Sequence, residues 1–252
     1  ATFAQSVFKG IWKVLSPYFK DGKAISPSGK LTASSTDDDW REVAFEATKS
    51  DQVKQALAER LGMDKDKSRH TRIDGIIACN DFVADSVIAE LTDLAYTGSA
   101  ADVNPSIMIS GIMDNIAGKH DLKKKAVPDP VKAPESDDDD ESTDDSGKDE
   151  SIDKKNAQWP IVTGYGAYAS SMPSIVNGQQ WMTALENRKA FAQDIAEVCV
   201  RLNAARKISG LRFVDTNTVG GQKTPTIQAD TLAVRAYNLK NTHIEPGYIS
   251  VA

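Results

Sequence analysis

The stretch Ile73-Asp74-Gly75-Ile76-Ile77-Ala78-Cys79-Asn80-Asp81 decides the fold. Residues 73–79 are rich in isoleucine and contain no proline, so they read as a buried strand. Asn80-Asp81 ends the run and supplies the residue types that start helices. Val83, Val87, Ile88, Leu91 and Leu94 then recur at helical spacing. A fully apolar strand running at once into an amphipathic helix marks a parallel α/β sheet. Ligands bind such sheets at the carboxyl ends of the strands, which is where Asn80 and Asp81 fall.

Downstream, residues 160–166 form a second apolar run ending in a glycine-rich turn, and residues 180–185 a third. A long helix is expected over 187–205, with Phe191, Ile195, Val198, Leu202 and Ala205 on one face. A last strand is expected over 224–236, and 237–252 reads as irregular. Upstream, residues 3–20 read as a helix through Phe3, Val7, Ile11, Val14, Leu15 and Tyr18, stopped by Asp21-Gly22. A polar stretch, 34–39, leads through Trp40 to a second helical pattern over 42–61, closed by Gly62. The expected class is α/β, a three-layer αβα arrangement with a mostly parallel sheet.

Residues 119–157 break this scheme. Between 135 and 150 lie ten acids and one base, so that segment carries −9 of a net charge of −6, and the other 236 residues carry +3. Its few large apolar residues bury too little surface to offset ordering entropy, and it reads as a disordered insertion. The expected organisation is therefore 1–118 as the first part of the lobe, 119–157 as the insertion and 158–252 as the remainder. An EF-hand starting at Asp140 fails, with Ser142 at its third position and Asp145 where glycine is required.

A body so near neutrality carries no basic footprint for nucleic acid. Cys79 and Cys199 sit in apolar runs and read as small buried hydrophobes, while His70, His120 and His243 sit in polar contexts and read as solvated surface. These residues form no metal pattern, catalytic triad or phosphate-cradling loop, and Gly220-Gly221 precedes no helix. No metal, cofactor or catalytic residue is expected. No run of 18 apolar residues exists, and Ala1 to Gly10 lacks the order of a signal peptide.

An ordered set of features supports a resemblance. It comprises Val14-Leu15-Ser16-Pro17-Tyr18 before Asp21-Gly22-Lys23, the isolated Trp40, and residues 73–78 leading into Asn80-Asp81 and Ala84. It continues with residues 160–166, then Ile175, Gly178, Gln180 and Met182-Thr183, and in the tail Thr224-Pro225-Thr226 and Gly247-Tyr248-Ile249. Together these resemble the sugar-binding proteins of bacterial ABC importers, in the xylose and multiple-monosaccharide branch of the type 1 periplasmic-binding fold. The resemblance implies two α/β lobes joined by a hinge and closing on a sugar. Against it the chain begins late, and looks like the second lobe with the carboxyl-terminal segment. The helix over 187–205 would then lack its family partner, which predicts self-association.

The resemblance also implies a ligand set. Trp40 lies where the family carries a ring that stacks on the sugar; it could equally be a core residue. Asn80 and Asp81 match the pair that bonds sugar hydroxyls, and could equally cap the helix. Tyr165 could stack or donate, or fill space at the sheet edge. Gln180 reads as structural. Two positions depart from the family: Gly166 stands where an acid is usual, and Glu186 where many members carry a lysine. An aspartate at 166 is expected to restore the acid. Such changes alter the hydrogen-bond set and point to a different ligand or to none.

The implied function is an extracytoplasmic, non-enzymatic solute-binding component of a carbohydrate importer. Its partners would be a monosaccharide and a membrane permease, with an anchor through a lipidated N-terminus lying upstream. The alternatives are a ligand-free interaction or sensor module, or the effector lobe of a sugar-responsive repressor, which would need a helix-turn-helix upstream.

Overall fold

The computed structural model describes residues 3–63, 69–100, 154–227 and 229–248. The stretch expected to be a disordered insertion lies outside them, apart from residues 154–157. These begin with a helical turn and end on buried Ala157, whose carbonyl accepts the Thr97 amide at 2.8 Å. Compact packing divides the chain into two units. One unit is Ala1–Thr183 with Arg235–Ala252, and the other is Ala184–Val234.

The first unit opens with α1, Phe3–Lys20, which ends at Gly22 with φ +68°, as expected. Its buried face differs from the expected one. Phe8 and Trp12 are buried and stacked, and the Trp12 and Phe19 rings lie 5.1 Å apart, while Phe3, Val14 and Tyr18 are exposed. Both stripes are apolar, and the one that packs carries the larger aromatic area. The single helix expected over 42–61 is two helices, α2 (Trp40–Val43) and α3 (Ser50–Leu61). Extended Ala44 ends α2, and the Gln52 side chain accepts the Thr48 and Lys49 amides to start α3. Gly62, at φ +59°, closes it.

Strand β1 (Gly75–Ile77), helix α4 (Asp81–Asp93) and strand β2 (Ile161–Tyr165) follow the expected order. The two strands pair in parallel, with Gly75 opposite Ile161 and Ile77 opposite Thr163. Val53, Leu61, Ile73, Ala78, Leu91 and Val162 belong to the buried core that α3 and α4 make against one face of this pair. Each fully buried side chain of the size of Leu91 or Val162 contributes about 1.5–3 kcal/mol.

The reading of 73–79 as buried holds for one face only. Ala78 lies in the core and Ile76 packs against it, whereas Ile77 is 51% exposed and Cys79 is exposed. In the sheet β2 is followed by β3 (Met182–Glu186) and then β6 (Thr231–Val234). Among the described strands the other end of that order is β1, and its alternate side chains point to opposite faces, only one of which packs on the core. Cys199 is exposed too, so both cysteines are free surface residues rather than buried hydrophobes.

A short helix, α5 (Met172–Val176), leads to β3. After β6 the chain returns to the first unit through turns at Ala236–Asn238 and Lys240–Ile244. This tail is more ordered than expected, because Leu239 and His243 are each 1% exposed. A histidine expected on the surface is therefore internal.

The second unit holds the end of β3, helix α6 (Arg188–Asn203), strands β4 (Val214–Val219) and β5 (Gln222–Ile227), and β6. Asn187 caps α6 by accepting the Ala190 amide at 3.1 Å, and no residue of α6 is buried. Antiparallel β4 and β5 turn at Gly220-Gly221, with φ +59° and +84°. Two successive positive φ angles are what a tight hairpin turn demands, so this pair marks a hairpin that the sequence reading passed over. Among the described residues, no helix is long and apolar enough to cross a membrane.

Candidate functional site

Asn80 begins α4 in extended conformation, and its Oδ1 accepts the Val83 amide at 2.8 Å. The cap uses the carbonyl end of the side chain and leaves the Nδ2 donor at the carboxyl edge of β1, where the residue is half-buried. Asp81 follows at 0% exposure. Its Oδ1 accepts from Gln180 Nε2 at 3.0 Å and its Oδ2 from the Tyr168 amide at 2.8 Å. The carboxylate thus ties the start of α4 to the loop after β2 and to the residues before β3. Gln180, also 0% exposed, gives a second bond to the Met182 carbonyl at 3.2 Å, in line with its structural reading.

Gly164 is the floor of this node. A Cβ there would overlap Asp81 Oδ1 and come within 2.5 Å of Gln180 Nε2. Glycine is required because the carboxylate and amide lie against its bare backbone.

The loop after β2 is strained and held. Gly166 has φ +115° and Ala167 φ +51°, a conformation that costs a non-glycine residue about 1–2 kcal/mol. The Ala167 amide donates to Thr183 Oγ1 at 3.2 Å, and the next amide is the one held by Asp81. At Gly166 a Cβ would meet Tyr168 Cε1 at 2.5 Å. An aspartate at 166 therefore cannot simply restore the family's acid; it would have to displace the Tyr168 ring and accept an unfavourable φ.

Tyr165 ends β2, half-buried, and is engaged by the protein. Two exposed rings flank the node and were not singled out from the sequence: Phe82, beside Asp81, and Tyr168, whose amide Asp81 holds. A sequence signal existed in Tyr165, Tyr168 and Phe82, three aromatics around two strand ends.

Trp40 opens α2, whose main packing partner is α1. The Arg41 guanidinium lies 4.6 Å from its ring centroid, so a stacking solute has to use the other face or displace Arg41. Its indole nitrogen is buried without a hydrogen-bond partner.

His243 packs under the same loop. Burial lowers its pKa, while the Ala167 carbonyl and the Asp81 carboxylate pull it up. Its Nδ1 lies 3.1 Å from Thr242 Oγ1, and its Nε2 has no partner in hydrogen-bonding geometry. Asp85, one turn into α4, accepts from Ser171 Oγ at 2.7 Å. Burial raises its pKa, the serine opposes that, and Asp81 adds to it. The cluster offers fixed donors, aromatic rings and a buried carboxylate, a set suited to holding a polar solute.

No protein-family model and no curated protein matches the sequence. Solved structures do. A carbohydrate transporter solute-binding protein from Chloroflexus aurantiacus, in complex with D-glucose, is similar at TM-score 0.58 and 19% identity, over 96% of this chain and 55% of that one. An ABC transporter solute-binding protein from Clostridium phytofermentans, with bound β-D-glucose, is similar at TM-score 0.57 and 16% identity, over 96% of this chain and 53% of that one. The chain spans about half the length of the structures it matches. The likeness establishes the fold, a mixed α/β periplasmic-binding architecture, as the resemblance in sequence implied.

Proposed function

We propose that this chain serves as the sugar-binding component of an ABC importer, working outside the cytoplasm with a membrane permease. The observation that carries the reading is the fold match over 96% of the chain to two solute-binding proteins whose structures hold glucose. In this reading Asn80 Nδ2 and the Tyr165 hydroxyl bond sugar hydroxyls, and the Trp40 ring supplies a stacking face. Asp81 acts through the groups it positions, the Tyr168 loop and the Gln180 amide. The protein binds and releases its solute and performs no chemistry on it.

A second reading, a ligand-free interaction or sensor module, is favoured by one observation: Gly166 stands where the family's acid is usual, under the Tyr168 ring. Calorimetry over a panel of pentoses and hexoses separates the two. The importer reading expects saturable binding on the order of millimolar, since a few hydroxyl bonds net roughly 1 kcal/mol each. It also expects loss of affinity in Asn80→Ala. Absence of binding across the panel selects the module.

A further inference from the structure

Arg235 follows the last residue of β6 in the chain. Its guanidinium carbon lies 4.4 Å from the centroid of the Trp181 ring and 5.8 Å from that of Tyr237. The backbone is fixed as well: the Arg235 amide donates to Asn238 Oδ1 at 2.8 Å, and the Trp181 amide to the Val162 carbonyl at 2.8 Å. The guanidinium is thus held by an aromatic face beside the residue that precedes β3.

Its Nε is buried and has no partner, and among the described residues no carboxylate pairs with this arginine. An unpaired buried donor on a charged group is costly, and natural structures seldom leave one without a reason. A guanidinium stacked through its π-face keeps its in-plane fork of N–H donors for an acceptor, and that fork matches a carboxylate. Tyr237, 51% exposed, lies beside it with surface left over for a solute.

We propose that Arg235, held by Trp181 and Tyr237, is a carboxylate-recognition site, and that the solute is a sugar acid rather than a neutral sugar. The carboxylate follows from the arginine; the sugar part rests on the importer reading. The loss of the family's acid at Gly166 is consistent, since an aspartate near a carboxylate ligand would repel it.

The test is calorimetry of the whole chain with D-glucuronate, D-glucose and acetate, on the unmodified protein and on Arg235→Gln and Arg235→Lys. Glucuronate is expected to bind at least about tenfold tighter than glucose, the worth of one charge-assisted contact. Acetate should compete with it. Arg235→Gln should bring the glucuronate-to-glucose ratio close to one, with Arg235→Lys between. Melting curves of both variants confirm that they are folded, and if Arg235→Gln does not fold, the lysine variant alone must lower the ratio. Equal affinities for the two sugars, or a preference that survives both substitutions, overturns the carboxylate site and leaves the importer reading standing. Binding of neither sugar overturns both.

Discussion

Removing the Asp81 carboxylate should cost the first unit more than any other single polar deletion around the strand ends. Asp81 is 0% exposed and accepts two hydrogen bonds, from the Tyr168 amide at 2.8 Å and from Gln180 Nε2 at 3.0 Å. In Asp81→Ala the Tyr168 amide loses its acceptor, while Gln180 Nε2 keeps the Met182 carbonyl. One buried donor stranded and one charge-assisted bond lost amount to about 3 kcal/mol. For a protein of this size that is a fall in melting temperature of roughly 6–12 °C. Asp81→Asn should be milder. The introduced carbonyl oxygen still serves the Tyr168 amide, and the Gln180 side chain can flip so that its unpartnered Oε1 accepts from the introduced amide group, at the cost of its bond to the Met182 carbonyl. Thermal melts followed by circular dichroism give the order: unmodified, then the asparagine variant, then the alanine variant. An alanine variant that melts within about 1 °C of the unmodified protein would refute the node.

Gly164→Ala should destabilise the protein, because its Cβ would occupy the space of the Asp81 carboxylate; much of that cost should vanish in an Asp81→Ala background, a non-additivity that a double-mutant cycle of urea melts measures. Gly166→Asp should lower the melting temperature rather than improve binding, given φ +115° and the Tyr168 ring in its way. Stability should fall on mild acidification: with the folded pKa of His243 below 6.5, the unfolded chain takes up the proton first, so stability is full above 6.5 and is lost as pH drops toward the lowered value. The raised Asp85 has the opposite sign, with stability regained as pH falls through its folded pKa toward 3.8, and His243→Gln should flatten the slope of urea-unfolding free energies measured between about pH 5 and 7.5. Phe191 and Leu202 on α6 are 38% and 56% exposed, so the isolated chain should self-associate, and Leu202→Glu should shift its sedimentation toward the monomer.

The βαβ core was legible because local and global signals agree there. An apolar run, a capping pair and a helical stripe over 73–94 require no knowledge of distant partners, and Val162 and Thr163 fall opposite β1 as a parallel sheet demands. Burial was less legible. Ile77 and Cys79 read as buried because whether the second face of a strand is covered depends on elements distant in sequence. In α1 two apolar stripes compete, and only packing chooses the one with Phe8 and Trp12. His243 lies in a polar stretch, yet the turn at Lys240–Ile244 brings it under the Ala167 loop. At the site, Asn80 and Asp81 were found as a pair, but which group does what depends on Tyr168 and Gln180, 87 and 99 residues from Asp81 in sequence. The hairpin at Gly220-Gly221 was there to be read, since two glycines between β-rich runs are its usual signature.

In the importer reading a sugar is held at the carboxyl edge of β1 and β2. Amide chemical-shift mapping of the whole chain, titrated with D-glucose and D-glucuronate into the millimolar range, tests it most directly. Saturable shifts are expected to cluster at Asn80, Tyr165 and the 166–168 loop, with glucuronate extending them to Trp181, Arg235 and Tyr237. Titrations that leave those amides unmoved, or that move only residues within Ala184–Val234, would contradict it.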